Sequence, residues 1–195
     1  MSPLEAFETA LCQIVGRPSM HRPFVCEGSP LACTVFICGF NPASPSSTDF
    51  WEHWKPSYGF AKATWFDAYK AERVARPLKP GKTRRNPISN TRRVIDWVVQ
   101  AAAPVSCLET NVHSMPSESM ADFDSTADST AAFTFLLSAI RPRLVVTHGD
   151  PAAEFMRDKQ SGMRTVAVEH FSRGWSEAKA RALGKEIASL ATSDG

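Results

Sequence analysis

The sequence has no long uninterrupted apolar run, which limits the kind of protein it can be. Its longest stretch without Asp, Glu, Lys, Arg or His covers residues 28–48, and Pro30, Gly39, Pro42 and Pro45 interrupt that stretch. Such a segment cannot form a membrane-spanning helix. The first residues carry acids where a secretory signal has basic residues and then an apolar core. We therefore expect a cytoplasmic protein with no membrane partner.

A paired-cysteine motif is also absent. The chain has five cysteines, an odd number, and no two of them form a CxxC pair. This pattern favours reduced, buried thiols. Cys33 and Cys38 lack a second pair at ligand spacing, which argues against a zinc or iron–sulfur centre. We expect no metal and no other cofactor.

Several catalytic signatures are missing too. The sequence contains no G-x-S-x-G nucleophile elbow, no phosphate-cradling glycine loop, no dinucleotide fingerprint and no HExxH motif. The sequence therefore gives no motif evidence for the classes of hydrolase and dehydrogenase that depend on these motifs.

The composition that remains is typical of a globular protein. The chain has 195 residues, of which 43% are hydrophobic and 22% are charged. This length suits one compact unit with its own core. We expect residues 1–195 to form a single domain and the protein to be a monomer.

Positive charge is concentrated in one part of the chain, although the net charge is only +2. Residues 79–93 contain no acid. This segment favours either an anionic partner or a solvated surface. Six basic residues lie in it: Lys79, Lys82, Arg84, Arg85, Arg92 and Arg93.

Apolar periodicity predicts alternating strands and helices. Short apolar runs predict strands at residues 34–38, 105–110, 143–147 and 165–168, and 41–62 is predicted to be a long ordered loop with one short helix. Four strands separated by helices favour an α/β fold with a mostly parallel sheet. Helical spacing predicts helices at 4–14, about 65–72, 91–103, 128–140, 150–157 and 176–190.

Asn90 is predicted to cap the helix that starts at Thr91. Arg92 and Arg93 then fall in its first turn, where the helix dipole disfavours positive charge. A bound phosphate would favour both arginines there.

Polar residues follow each predicted strand. Parallel strands present their carboxyl ends at one edge of the sheet, so these residues are expected to meet in one cleft. Turn geometry alone also explains an Asn or Gly after a strand. The residues concerned are Gly39 to Ser44, Asn111 to His113, His148 to Asp150 and His170 to Gly174.

Four of these segments together resemble the uracil-DNA glycosylase superfamily. GFNPAS at 39–44 looks like its GxNPG motif, TNVHSMPSES at 110–119 is similar to its strand-end Asn segment, and HFSRG at 170–174 resembles its HPSP motif. PRLVVTHGDPAAEFM at 142–156 is similar to its strand-turn-helix. The resemblance implies a three-layer α/β/α sandwich around a four-stranded, mostly parallel sheet.

The resemblance also implies roles in base excision repair. Asn41 would position the attacking water, and His170 would donate a hydrogen bond to the uracil oxygen that becomes negatively charged. Asn111 would read the edge of a flipped base beside Gly39 and Phe40. Tyr58 or Phe60 would stack on that base. Asp49, Glu52 or His53 would be needed if a true general base enters the pocket, a point that the sequence leaves open.

The partner implied is DNA with one base flipped out. Ser44 and Arg173 would contact phosphates, and the segment around Ser172 would enter the groove. The basic residues Arg84 and Arg85 are expected to add to DNA binding.

The motifs depart from the family at three positions. Ala43 replaces a frequent Gly, and Phe171 and Arg173 replace both prolines of HPSP. The Asn of the first motif with the His of the last is most similar to the single-strand-selective branch, and that Asn also occurs in the mismatch-specific branch. The iron–sulfur branches lack support because their four-cysteine pattern is absent.

The sequence is therefore consistent with three functions. The first is a monofunctional glycosylase for uracil or another deaminated or damaged base in DNA. The second is a catalytically silent nucleic-acid-binding protein of the same fold. The third is a hydrolase of small-molecule nucleosides or nucleotides.

Overall fold

Strands and helices alternate along the chain in the computed structural model, which describes residues 1–42, 47–78, 80–81, 83–115, 130–157, 159 and 163–193. Two short 3-10 helices, Pro30–Ala32 and Phe50–His53, complete the regular structure of this part. The strands are β1 (Phe24–Val25), β2 (Glu27–Gly28), β3 (Val35–Gly39), β4 (Trp54–Lys55), β5 (Gly59–Ala61), β6 (Cys107–Asn111), β7 (Leu144–His148) and β8 (Arg164–Val168). The helices are α1 (Pro3–Val15), α2 (Lys62–Ala75), α3 (Asn90–Ala101), α4 (Ala131–Ile140), α5 (Asp150–Arg157) and α6 (Glu177–Thr192).

The main sheet has five strands in the order β1-β6-β3-β7-β8. The pairs β6/β3, β3/β7 and β7/β8 are parallel, and β1 pairs antiparallel with β6 at the edge. The predicted mixed α/β class with a mostly parallel sheet is confirmed. The edge strand β1 was not predicted, since two residues are too short to show a period.

The segment predicted as a loop at 41–62 contains two strands of a second sheet, β4 and β5. Strands β2, β5 and β4 form a three-stranded antiparallel sheet, and the 3-10 helix Phe50–His53 precedes β4. These strands have only two or three residues each. β4 and β5 form a short hairpin with each other, and β2 joins them from a position far earlier in the chain, so each segment is too short to show an apolar period.

Apolar side chains cover both faces of the main sheet. Successive residues of a strand point to opposite faces, and in β3 the side chains of Phe36 and Val35 belong to different clusters. Phe36 packs with α1, α4 and α5, and Val35 packs with α3 and α6. Among the described residues, none of the helices combines the length and the hydropathy needed to cross a membrane.

Two helix starts show how local sequence sets the elements. Ser2 and Glu5 form a capping box at α1, because the Ser2 hydroxyl accepts from the Glu5 N–H and the Glu5 carboxylate accepts from the Ser2 N–H. The cap of α3 is Ser89 and not the predicted Asn90, since the Ser89 hydroxyl accepts from the Arg92 N–H at 3.1 Å. Both serines satisfy N–H groups that have no partner within the helix.

Candidate functional site

The carboxyl ends of β6, β3 and β7 place three polar or small residues side by side. Gly39 pairs in register with Asn111. A Cβ atom on Gly39 would lie 2.6 Å from the Asn111 Oδ1 and 2.9 Å from the His148 Nε2. Only glycine at this position allows both side chains to approach the end of β3.

These strand ends form one wall of a pocket of about 220 Å³. The predicted site residues Phe40, Asn41, Asn111 and His170 all line it, so the structure brings them together, and Gly39 lies at its edge. The loop after β3 is fixed by the chain after β6, since Val112 N–H donates to the Gly39 oxygen and His113 N–H to the Phe40 oxygen, both at 2.9 Å. The remaining lining residues are Arg22, Val25, Ile37, Pro42, Trp65, Tyr69, Arg73, Ser89, Thr91, Arg92, Ile95, Glu109, Thr110 and His148.

His170 is held by the residue two positions after it. The Ser172 N–H donates to the His170 Nδ1 at 3.2 Å, and the Ser172 hydroxyl lies 2.8 Å from the same nitrogen. Partial burial, and then the charge of Arg173, lower the pKa of His170 from 6.5. The neutral ring therefore accepts at Nδ1 and carries its proton on Nε2.

His148 packs against His170. It is 6% exposed, stacks on Phe171 at 4.5 Å and contacts His170 edge to face at 5.1 Å. Burial, with His170 and Arg92, lowers its pKa to about 3, so the ring is neutral. Phe171, which replaces a proline of the resembled motif, thus serves as packing under the site.

Asn111 forms no side-chain hydrogen bond within the described part of the chain. Its amide can donate and accept at once toward a ligand. Asn41 lies on the same pocket and is itself bonded within the protein.

The two rings predicted to stack on a base lie elsewhere. Phe60 is fully buried and stacks on Phe50 at 5.2 Å in the core. Tyr58 is 46% exposed in the turn between β4 and β5, where its hydroxyl bonds to Glu27. The aromatic rings that do line the pocket are Phe40, Trp65 and Tyr69.

None of the three possible general bases lines the pocket either. The Asp49 carboxylate accepts from the Ser19 and Trp51 N–H groups, at 2.7 and 3.1 Å. His53 is buried against Phe60 with its Nδ1 at 3.2 Å from the Thr64 hydroxyl, and Glu52 is exposed outside the pocket. The sequence shows that these three residues lie close to Asn41 along the chain, but it does not show where their side chains point.

The predicted DNA-binding residues that the structure describes do not line the pocket. Arg84 is exposed, Arg85 is half-buried and donates to the Pro77 oxygen, and Arg173 is exposed after His170. The Ser172 hydroxyl already lies within hydrogen-bonding distance of the His170 ring, so it is only partly available to DNA. Ser44 lies outside the described residues.

The pocket also has a buried ionic cluster that the sequence analysis did not predict. Glu109, in the middle of buried β6, lies 2.6 Å from the Lys62 ammonium and bonds to the Arg92 guanidinium. Although burial opposes it, Arg92 and Lys62 hold the pKa of Glu109 below its ordinary value. A lone acid inside an apolar strand signals a charged partner, and that signal was available in the sequence.

This cluster explains Arg92 without a phosphate. Arg92 is 7% exposed, pairs with Glu109 and lies over the Trp65 ring at 5.3 Å. The internal carboxylate thus offsets the unfavourable dipole at the start of α3. The predicted phosphate is not required at this residue.

No family model matches the chain, and no curated protein matches it. The pocket and its chemistry are therefore the basis for a function.

Proposed function

We propose that the protein is a monofunctional DNA glycosylase that hydrolyses the N-glycosidic bond of uracil or a related deaminated base, on a single-domain, three-layer α/β/α sandwich in the cytoplasm. The observation that carries the proposal is the meeting of Asn41, Asn111 and His170 in one pocket, with His170 held as the neutral Nε2–H form. The cavity of about 220 Å³ has room for a flipped base.

The reaction follows from the polar groups. The bond between the sugar C1′ and the base nitrogen breaks, and the electron pair leaves with the base. His170 Nε2–H donates to the base oxygen on which the charge develops, and stabilises the leaving group. A water oriented by Asn41 adds its oxygen to C1′ and releases one proton, which balances the anionic base.

The described lining residues include no strong base, which fits a reaction driven by the departure of the nucleobase. Glu109 is the one carboxylate among the described lining residues, and Lys62 with Arg92 neutralises it. A carboxylate held by two cations is a weak base. Bond cleavage that precedes water attack does not require one.

Asn111 supplies base recognition. Its amide donates to one uracil carbonyl and accepts from the ring N–H, a pattern that cytosine does not present. Phe40 provides the apolar face of the pocket in place of the rings predicted from the sequence. The exposed Arg84 and Arg173 contact DNA phosphates outside the pocket.

A cleavage assay tests the proposal. Labelled oligonucleotides with one uracil, hypoxanthine or mismatched base, single- and double-stranded, are incubated with the protein and treated with alkali. We expect strand breaks from at least one of them, and none with His170→Ala. Retained DNA binding without any base release would instead support the silent nucleic-acid-binding function.

The positive charge in the pocket favours a second candidate. Arg22 and Arg73 line the cavity beside the base-recognition groups, as a nucleotide hydrolase would require. Release of uracil from a free nucleotide as fast as from DNA would replace the glycosylase proposal with this one.

A further inference from the structure

Two arginines line the pocket without an acidic partner. In the described part of the chain, neither Arg22 nor Arg73 takes part in an ion pair, and the Arg22 guanidinium donates no hydrogen bond. Arg73 donates its Nε to the Asn86 oxygen at 2.8 Å, a neutral acceptor. Among the described residues, no carboxylate forms an ion pair that would balance either charge.

The acidic side chains of the Glu109 cluster pair with other cations. Glu109 bonds to both Lys62 and Arg92, and Asp96 lies 3.6 Å from Lys62 and 3.7 Å from Arg92. Two carboxylates thus face two other cations. Glu109 acts on Arg22 through its charge but forms no ion pair with it.

Arg22 nevertheless keeps its charge in a costly position. Burial, and then the charge of Arg92, lower its pKa to about 10, which leaves it protonated near neutral pH. A guanidinium removed from water is unfavourable unless an anion pairs with it. The planar group suits two parallel hydrogen bonds to a carboxylate or phosphate.

A further donor lies on the same wall. Thr91, in the first turn of α3, lines the pocket beside Ser89 and Tyr69, whose polar groups already bond to each other. The first turn of a helix favours negative charge through its N–H groups and its dipole. His148, 6% exposed, also lines the pocket and its Nδ1 has no hydrogen-bond partner in the described structure.

We infer that the pocket contains an oxyanion subsite, in which Arg22, assisted by Arg73 and Thr91, binds a carboxylate or phosphate group of the ligand. The ligand is then a base or nucleotide that carries an anionic group. The choice of bases and nucleotides as ligands rests on the proposed function, whereas the preference of the pocket for an anion concerns binding alone.

Calorimetric titration of the full chain at constant ionic strength tests the subsite. The ligands are compared in pairs that differ by the anion: orotate against uracil, dUMP against deoxyuridine, and inorganic phosphate against chloride. We expect at least one anionic ligand to bind about tenfold or more tightly than its partner, as two charge-assisted hydrogen bonds imply. The preferred pair identifies the source as a base carboxylate, a nucleotide phosphate or the free ion.

Three variants show whether Arg22 is responsible. Arg22→Gln should abolish the preference, Arg22→Lys should keep part of it, and Arg157→Gln, exposed on α5, should leave it unchanged. Circular dichroism checks that each variant folds. Equal affinity within all three pairs, or an unchanged preference in folded Arg22→Gln, would overturn the inference. Failure to release a base from DNA would leave these titrations unaffected, so the two proposals fail separately.

Discussion

At the scale of single residues, the state of His170 depends on its neighbour Ser172. The Ser172 N–H can donate to Nδ1 only while that nitrogen is unprotonated. Protonation of the ring therefore breaks the contact that holds the ring in its orientation beside the pocket. Activity should need the neutral ring.

This dependence predicts the pH profile of base release. Because the pKa of His170 lies below 6.5, single-turnover rates should fall only on the acid side of that value. Arg173 helps to lower this pKa, so Arg173→Ala should raise it and move the acid limb to higher pH. Arg173→Lys keeps the charge and should keep the limb in place. Coincident profiles for wild type and Arg173→Ala would argue against this role of His170.

Gly39 gives a second prediction at this scale. A methyl group there would lie 2.6 Å from the Asn111 Oδ1, so Gly39→Ala must displace Asn111 or His148. We expect base release to drop by about tenfold or more, because displacement of about 1 Å costs that much in rate. The unfolding midpoint in urea should stay close to that of the wild type, so that the loss of rate cannot be ascribed to unfolding. Unchanged rates would show that the strand ends do not form the reactive site.

The sequence predicted some of these residues and not others, for physical reasons. Asn111 ends β6 and His170 follows β8 by two residues, so their place at one sheet edge could be inferred from the predicted strands. Arg22 precedes β1, a strand too short to recognise, and nothing local links it to the pocket. Tyr58 was assigned by its distance along the chain from Asn41, which does not fix where a turn points.

At the scale of elements, the Glu109 cluster ties β6 to α2 and α3. Lys62 begins α2, Arg92 belongs to the first turn of α3, and both bond to the same carboxylate. Removal of that carboxylate leaves the buried Arg92 with only the more distant Asp96, at 3.7 Å, as an ionic partner. This loss costs more than the pair contributes on formation.

Glu109→Gln should therefore lower the free energy of unfolding by about 3–5 kcal/mol in urea denaturation near neutral pH. The pKa of Glu109 is lowered in the folded protein, so its stabilisation is present above the ordinary pKa and is lost as pH falls. The difference between wild type and variant should shrink in acid. The matched control is Glu177→Gln, which breaks an exposed pair with Arg181 and should cost less than about 1 kcal/mol. Equal losses in the two variants would contradict the account.

Element types were more predictable than their ends. The buried runs of β3 and β7 and the spacing of α1 and α6 all appear in the sequence. The start of α3 moved by one residue because Ser89 and Asn90 are both good caps, and only the observed hydrogen bond to Arg92 distinguishes them. The small sheet joins the short β4–β5 hairpin to the distant two-residue strand β2, and strands of two or three residues show no local period.

At the scale of the whole molecule, charge outside the pocket determines how DNA would bind. Arg84 is exposed, whereas Arg85 is half-buried and donates to the Pro77 oxygen. Arg84 is thus the better candidate for a phosphate contact within the basic segment.

Arg84→Ala should make the salt dependence of DNA binding less steep. Each phosphate contact contributes about 0.9 to the slope of log K against log salt for duplex DNA. The variant should lose about that much, and Arg84→Lys should lose little. Fluorescence anisotropy over a salt series measures both slopes. Identical slopes for wild type and Arg84→Ala would assign this segment to a solvated surface.

The most direct test of the central claim is base release under single-turnover conditions from a uracil oligonucleotide, with wild type, His170→Ala and Asn111→Asp side by side. The account predicts release by wild type, none by His170→Ala, and a strong loss with Asn111→Asp, because a carboxylate cannot donate to the uracil oxygen. Release that persists in both folded variants would contradict the claim that this pocket performs the reaction.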